Sequence, residues 1–495
     1  MKPGIRSLVC LLGPRRLTPP SEWPARARGL VLLCAATAIG LPAQTFTTLY
    51  SFDTTHGANP EAGLVQARDG DFYGTTYNGG AHGAGALFRI TPSGTLTTLY
   101  SFCAQTNCND GKNPAAGIVE VSNGDFYGTT RGGGANGSYG TVFQITPSGS
   151  LTTLYSFCAQ SGCTDGAYPY AGLVQGTDGN FYGTTEGGGV HGDSGTVFQI
   201  TPSGTLTTLY SFCARPNCLD GELPTGGLVQ AADGNFYGTT RHGGASGNSG
   251  TVFQITPSGT LTTLCSFCAV INCTAGAGAN PYAGLAEAAS GEFYGTTAGG
   301  GVESDYGTVF QVTPSGTLTT LLSFDGTDGA YPFAGLAGAT DGNFYGTTQF
   351  GGSNAEGTVF QITPGGTLTT LHSFDGTDGE APYAVLVQAT SGDFYGTTEY
   401  GGANNAGVVF SMSAGLGPFI ETTPTAGQTG AAIEILGTGL TGATSVVFNG
   451  TSAVFKVAAS SLIKTTVPAG ATSGTVQVVT PGATLSSNQP FQVLP

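Results

Sequence analysis

"DGNFYGTTEGGG" (residues 178–189) is one copy of a phrase that returns along the whole chain. The FYGTT phenylalanines are Phe72, Phe126, Phe181, Phe236, Phe293, Phe344 and Phe394, with successive gaps of 54, 55, 55, 57, 51 and 50 residues. A near-constant period of this length marks a repeat architecture. One unit carries four short runs, "PYAGLVQ", "NFYGTT", "GTVFQIT" and "TLTTLYSF", within residues 169–212. Their joints are "TDG", a glycine-rich loop and "TPSG", chemistry that reverses a strand. The runs are rich in Val, Ile, Thr, Phe and Tyr, and both alternating faces are apolar or small. That pattern implies sheets buried on both sides.

Four strands per unit and seven units predict a seven-bladed β-propeller, sheets packed radially around an axis. The ends of the array agree. The seventh "GTVFQI"-type run, "GVVFSMS" (residues 407–413), has no "TLTTLYSF" after it, whereas an extra copy, "TFTTLYSF", stands at residues 45–52. The orphan strand would complete the last blade, which removes the exposed edges of an open stack.

The unit "DGNFYGTT…GTVFQITPSGTLTTLYSF" resembles the GloVer tandem repeat of bacterial exported proteins, over roughly residues 45–413. More distantly it is similar to NHL-type propeller repeats. The resemblance implies an exported surface protein and no known reaction. After "AGLGPF", the stretch "PFIETTPTAGQTGAAIEILGTGL" opens a second pattern, continued by "SVVFNGTSAVF" and "TTVPAGATSGTVQVVTPGA". It resembles the IPT/TIG family of immunoglobulin-like domains, which serve as spacers or binding modules. Short β-rich runs between Gly/Thr/Ser turns independently suggest a small sandwich. The expected division is a targeting segment at 1–43, a propeller at 44–413, a linker at 414–417 and an Ig-like domain at 418–495. The expected fold class is all-β.

Charged residues are 9% of the chain and the formal net charge is −16. Residues 1–43 hold six of the 14 basic and one of the 30 acidic side chains, so the remainder carries 8 basic and 29 acidic, a net −21. Such a surface repels phosphate backbones, and nucleic acid is excluded as the expected partner. Arg15, Arg16, Arg26 and Arg28 precede the apolar run "LVLLCAATAIGL" and then "PAQ". This reads as a secretory signal with a long basic lead, cleaved near Ala43. The run is too short to span a bilayer comfortably, so no transmembrane span is expected in the mature chain. No sorting motif or hydrophobic tail is read at the other end, and release or non-covalent surface attachment is expected.

Eight cysteines form a repeated Cys-x4-Cys: Cys103 with Cys108, Cys158 with Cys163, Cys213 with Cys218, and Cys268 with Cys273. Each pair lies between the last strand of one unit and the first of the next. Compared with "SFDGTDG" (residues 323–329), these loops carry four extra residues, which a disulfide would staple in an oxidising compartment. Zinc fits poorly, since each loop has two cysteines and no histidine pair. Cys265 replaces the tyrosine of "TLYSF", a slot also filled by Leu322 and His372, and reads as a packing position.

The histidines (His56, His82, His191, His242 and His372) do not recur at one repeat position, which excludes a symmetric metal ring. No nucleophile, zinc-protease or phosphate-loop motif appears in its required context. Asp110, Asp165, Asp220, Asp328 and Asp378 each precede a glycine in the loop entering a unit. They are candidate ligand-binding residues, able to offer calcium hard oxygen ligands; the plainer reading is an Asp-Gly turn. Gln66, Glu120, Gln175, Gln230, Glu287 and Gln388, with Gly338 breaking the series, are candidates to line the central channel. The plainer reading is polar strand ends meeting water. The recurring proline (Pro60, Pro114, Pro169, Pro224, Pro281, Pro332, Pro382) and FYGTT itself read as structural bricks.

Function is expected in the long, variable loops, which topology places on one face. The expectation is a secreted or cell-surface bacterial protein, without catalysis, that presents an acidic, loop-rich propeller face to an extracellular polysaccharide or protein. It requires no cofactor; calcium is the one candidate. The alternative is an extracellular carbohydrate-active hydrolase or lyase, which would need an asymmetric cluster of carboxylates or a His/Tyr/Arg set.

Overall fold

The computed structural model describes residues 44–245, 248–267, 278–302 and 305–494. The chain is all-β. Its helical content among the described residues is three single 3-10 turns, the first at Thr106–Cys108. In the repeat region the described residues form seven four-stranded antiparallel sheets, the kind of unit that makes propeller blades. The first contains β2 (Val65–Gln66), β3 (Phe72–Thr76), β4 (Ala86–Ile90) and β5 (Leu96–Ser101) in sequential order. The N-terminal strand β1 (Thr45–Ser51) does not join it. β1 instead pairs with Val408–Ser413, beside Phe394–Thr398 and Val387–Gln388, and supplies the fourth strand of the seventh sheet.

The five letters of FYGTT have separate duties. Phe and Tyr point to opposite faces of the strand. Each Tyr stacks on the Phe of the next sheet: Tyr73 on Phe126, Tyr127 on Phe181, Tyr182 on Phe236, and so on to Tyr345 on Phe394. Tyr395 of the seventh sheet stacks on Phe72 of the first, with ring centroids 3.9 Å apart. The glycine is a close-approach position. A Cβ on Gly183 would lie 2.7 Å from Phe198 Cζ, inside van der Waals contact, so a larger residue would push the aromatic layer out. The first threonine donates its hydroxyl to a backbone carbonyl of the following sheet. Thr75 bonds to Ala116 at 3.0 Å, Thr129 to Ala171 at 3.0 Å, and Thr397 of the seventh sheet to Ala62 of the first at 3.2 Å. The second threonine is fully buried and bonds within its own sheet, as Thr185 does to Thr196 at 2.8 Å.

The inner strand is shorter than its run suggests. Of "PYAGLVQ" only Val174–Gln175 pairs in the ladder. The preceding Pro-Tyr-Ala-Gly-Leu is unladdered and bends at Ala171, because proline lacks an N–H and Ala171 spends its carbonyl on Thr129. Between each pair of neighbouring sheets lies one apolar cluster. The cluster of Phe52, Phe72, Phe88, Tyr395 and Val409 joins the first sheet to the seventh.

Residues beyond the repeats form a second β unit. Ile420–Thr423, Ala432–Gly437, Leu462–Thr466 and Phe455–Ala459 make one four-stranded sheet, and Ser445–Phe448 with Val476–Val479 centres another. Ile433, Ile435, Val446, Phe448, Val476 and Phe491, drawn from both, share one core. The two parts of the chain touch through the turn after β2. Arg68 forms ion pairs with Glu120 (3.2 Å) and with Glu434 of the second unit. Ser461 Oγ donates to the Arg68 carbonyl at 2.7 Å, and Thr390 shares a hydroxyl hydrogen bond with Thr438 at 2.8 Å.

Candidate functional site

The loop aspartates are placed as internal anchors. Asp110, Asp165 and Asp220 have no exposed surface. Asp165 accepts hydrogen bonds from Tyr155 Oη (2.7 Å), the Ala159 N–H (2.9 Å) and the Gln160 N–H (3.1 Å). Asp110 and Asp220 repeat the set with Tyr100 and Tyr210. In a loop without cysteines the same slot pairs His372 Nε2 with Asp378 Oδ2 at 2.7 Å. A histidine thus replaces the outer-strand tyrosine and keeps the bond. Leu322 cannot, and Asp328 instead accepts the Asp325 N–H, its carboxyl pushed up by burial. Asp110, Asp165 and Asp220 thus spend their acceptor capacity on three donors each, which leaves little to offer a cation.

The expected channel series sits elsewhere too. Gln66, Glu120, Gln230 and Gln388 each accept a backbone N–H from the turn of the preceding sheet, from Thr390, Arg68, Thr177 and Thr340 respectively. Glu287 takes the same bond from Ala232. Gln175 is exposed and reaches back to Gly179, and Gly338 has no side chain to offer. These residues act as latches between sheets, and none of them lines the central cavity.

Three of the four expected disulfides are present: Cys103–Cys108, Cys158–Cys163 and Cys213–Cys218, each beside one of the 3-10 turns. The fourth is not among them. Cys268 and Cys273 both lie outside the described residues, so a bond between Cys268 and Cys273 stays an expectation from the spacing of the other three. Cys213, Cys218 and Glu222 cluster within 4.8 Å, but the bonded sulfurs are not free to ligate a metal. The Cys265 thiol is half-buried and pushed up to about 11 by burial, consistent with packing. The histidines are not brought together: His56 pairs with Asp53, His242 faces Asn248, and His372 holds Asp378.

The site that does form is the central cavity, about 450 Å³, within the range of small-ligand sites. All seven sheets contribute to it through the unladdered run after each proline. Its wall is repetitive, made of alanine, glycine and leucine. Its mouth is not. The residue after the proline is, in order, Glu61, Ala115, Tyr170, Thr225, Tyr282, Phe333 and Tyr383, and all of these reach the cavity. Phe333 stacks on Tyr383 at 5.3 Å and meets Tyr282 edge-on at 4.6 Å. Tyr170 Oη bonds to Tyr383 Oη at 3.1 Å and to Glu61 Oε2 at 3.4 Å.

A second variable circle stands beside it. The residue after FYGTT is Tyr77, Arg131, Glu186, Arg241, Ala298, Gln349 and Glu399 in turn. Its backbone is pinned identically each time. The N–H of Arg131 donates to the Asn113 carbonyl and that of Glu399 to Ala381, both at 3.1 Å. Those pre-proline carbonyl residues all have positive φ, for example Tyr168 at 57° and Leu223 at 53°. Backbone strain of this kind persists only where the surroundings enforce it. The scaffold therefore repeats, and only the side chains differ. Arg241 lies over the Tyr282 ring at 4.4 Å, and Arg131 over Tyr170 at 5.6 Å. Arg131 also reaches Glu186 Oε2 at 3.3 Å.

The charged side chains are unevenly spread. Arg131 and Arg241 stand on the second and fourth sheets with Glu186 between them on the third, while Glu399 and Glu61 stand on the seventh and first. Burial, reinforced by Glu399, pushes the Glu61 carboxyl up to about 7. Burial also raises Glu399, and it raises Tyr383 to about 12. Glu61 thus exchanges its proton near neutrality while hydrogen-bonded to a phenol. Flat aromatic faces, two guanidinium groups and a protonatable carboxyl suit a hydroxyl-rich ring ligand. A reading centred on repeated residues misses these positions. The available signal was the opposite one: fixed slots, beside Pro and after FYGTT, that change in nearly every copy.

The profile described as the Gloeobacter/Verrucomicrobia repeat matches residues 103–276 and 232–453, and the IPT/TIG domain profile matches 419–493. The comparison with curated proteins finds no match. Among solved structures, the extracellular domain of a protein assigned as a hybrid two-component system of B. thetaiotaomicron is 13% identical, with a TM-score of 0.48 over 92% of this chain and 59% of that one. PorZ, a surface component of the type-IX secretion system of Porphyromonas gingivalis, is 14% identical, with a TM-score of 0.45 over 86% of this chain and 58% of that one. A Xanthomonas campestris gluconolactonase is 12% identical, with a TM-score of 0.39 over 77% and 92%. The chain spans less than two thirds of the length of the first two. By its repeats this chain belongs to the Gloeobacter/Verrucomicrobia repeat family, and an IPT/TIG domain follows them.

Proposed function

We propose that this chain is a non-catalytic binding protein of the bacterial cell exterior that holds an extracellular glycan at the mouth of its central cavity. In this reading residues 44–413 are a closed seven-bladed propeller, 414–417 a linker and 418–495 an Ig-like spacer. Residues 1–43, outside the described residues, act as the export signal. Closure is supported by β1 pairing with Val408–Ser413 and by the Tyr395–Phe72 stack. No helix among the described residues is long and apolar enough to cross a membrane.

The observation that carries the reading is an asymmetric aromatic mouth on an otherwise repeated scaffold. Invariant positions hold the fold, and the cavity mouth varies, with Tyr170, Tyr282, Phe333 and Tyr383 gathered at it. Aromatic faces of this kind stack on the apolar faces of sugar rings. The reading needs no cofactor, and the buried loop aspartates lead us to expect binding that survives calcium chelation.

The test is depletion of the purified protein from solution by a panel of polysaccharides, with new sugar ends followed in parallel. Binding without new ends, weakened about tenfold by F333A or Y383A, is the expected outcome. Adsorption that both variants retain in full would move the site off the mouth. One observation favours a second reading: Glu61, near neutrality beside Tyr170, has the properties of a general acid. New ends that E61Q abolishes would establish a hydrolase or lyase instead.

A further inference from the structure

Beside the mouth lies a second cavity of about 270 Å³, formed by Tyr77, Lys112, Asn113, Arg131, Ser138 and Tyr168. It draws on the first three sheets, and its composition departs from the rest of the molecule. Lys112 is one of three lysines in residues 44–495, with Lys456 and Lys464. Its slot in the other units is Ala58, Ala167, Glu222, Ala279, Ala330 and Glu380, so this unit alone places a cation there. Gly132 makes the room: a Cβ there would stand 2.9 Å from Lys112 Cε. Among the described residues Lys112 has no ion-pair partner, whereas Lys464 is held by Glu434 at 2.9 Å.

Arg131 joins this cavity to the mouth. Its Nη1 donates to Tyr77 Oη at 3.3 Å and its Nη2 to Glu186 at 3.3 Å, while its ring partner Tyr170 lines the central cavity. Its Nε is buried without an acceptor. The buried Arg131 Nε without an acceptor is costly unless something negative completes it, and the partly buried, unpaired Lys112 ammonium stands in the same cavity. Tyrosines stand on either side, and Asn113 Nδ2 is already committed to the Tyr77 carbonyl at 3.0 Å. The chain as a whole carries net negative charge. At physiological ionic strength that field fades over about 8 Å, so the local cations govern a group seated among them.

We propose that this cavity is an acid-recognition subsite, and that the glycan held at the mouth carries an anionic sugar whose carboxylate or sulfate ester sits between Lys112 and Arg131. The proposal rests on the glycan-binding reading and specifies its ligand class. The probes are an oligogalacturonate, its neutral methyl ester and a sulfated oligosaccharide of equal length, titrated against the full chain by calorimetry. The acid should bind about tenfold or more tightly than the ester, as charge-assisted hydrogen bonds require. Both K112Q and R131Q should erase that preference, and K456Q should keep it. The sulfated arm assigns the acid: tighter binding than the uronate means a sulfate ester, weaker means a carboxylate.

Equal affinity of the wild type for acid and ester would overturn the subsite and leave the glycan reading standing. If no oligosaccharide binds, the glycan reading fails, and amine footprinting decides the subsite alone. Acetylation of Lys112 would then be compared with that of Lys456 in the same sample, with and without free galacturonate and sulfate. Selective protection of Lys112, several-fold or more, sustains the anion subsite. No protection overturns it.

Discussion

Glu61 shows what single substitutions do to a repeated scaffold. Its slot holds tyrosine, threonine, alanine or phenylalanine in other units, and only here a carboxyl. Desolvation and the nearby Glu399 raise its pKa from the ordinary 4.5 to about 7. The folded state therefore binds the proton more tightly than the unfolded chain does. Its contribution to stability is fully present below about pH 4.5 and is lost as pH rises through 7. The expected loss is on the order of 3 kcal/mol. Glu120, Glu287 and Glu399 are raised in the same direction, while Asp178, Asp233 and Glu434 are lowered and act with opposite sign. The total profile mixes these contributions, so the measurement is a difference. Urea unfolding of wild type and E61Q at pH 4.5, 6 and 8 should show a gap that changes across this window, with E61Q gaining relative to wild type as pH rises. A pH-independent gap would mean that Glu61 ionises normally. The loop aspartates teach a related lesson: an Asp-Gly dipeptide in sequence is a turn signal, yet the carboxyl of Asp165 mainly serves the tyrosine of the strand just before the loop and the loop's own N–H groups.

Among elements, β1 matters out of proportion to its length. It is the one strand whose partner lies at the far end of the repeats. Phe46 stacks on His372 at 3.8 Å and on Phe410 at 5.1 Å, and Phe52 is fully buried in the cluster between the first and seventh sheets. Deleting residues 44–52 would bare the edge of Val408–Ser413 and empty three aromatic positions, Phe46, Tyr50 and Phe52. The fully buried Phe52 alone is worth about 3–5 kcal/mol. The expected result is loss of a single cooperative melting transition, with aggregation through the exposed edge. An open stack of sheets would instead lose one end strand and melt nearly as before. Calorimetry of the truncated chain separates the two. The inner strands carry the opposite emphasis. They make two ladder pairs each, as Val174 and Gln175 do, and their unladdered lead-in runs are held by threonine hydroxyls from the neighbouring sheet. Cavity wall and inter-sheet contact are thus one stretch of chain.

At the scale of the whole molecule, the proposed binding mouth and the contacts to the IPT/TIG domain use different ends of the repeats. The variable side chains gather where the chain enters each inner strand. The contacts to the IPT/TIG domain gather where it leaves, at Arg68 and Thr390. Arg68 holds Glu120 and Glu434 together, with side-chain exposures of 12%, 12% and 16%. Removing it leaves Glu120 largely buried with no cation, while Glu434 keeps Lys464 at 2.9 Å, a loss of about 3 kcal/mol. R68A should therefore loosen the join between the two parts, read as faster proteolysis around residues 414–419, while glycan binding at the mouth persists. Unchanged proteolysis would show that the hydroxyl contacts of Thr390 and Ser461 suffice. The arrangement fits a binding head carried on a fixed support.

The repeat count, the strand runs, the turns and the orphan "TFTTLYSF" were legible in the sequence because each rests on local chemistry written several times. Alternation of Phe and Tyr places rings on opposite faces, Gly and Asp-Gly set turns, and paired cysteines such as Cys103 and Cys108 reach each other without help from the fold. The latches from Gln66 and Glu120 were visible as a repeated polar position, but their partners lie on the neighbouring sheet, 52 residues away in sequence for Arg68 and Glu120. The mouth was not legible. Glu61, Tyr170 and Tyr383 span 322 positions, from 61 to 383, and nothing local marks them as a group. Only tertiary structure, by bringing seven equivalent slots to one cavity, turns their differences into a site.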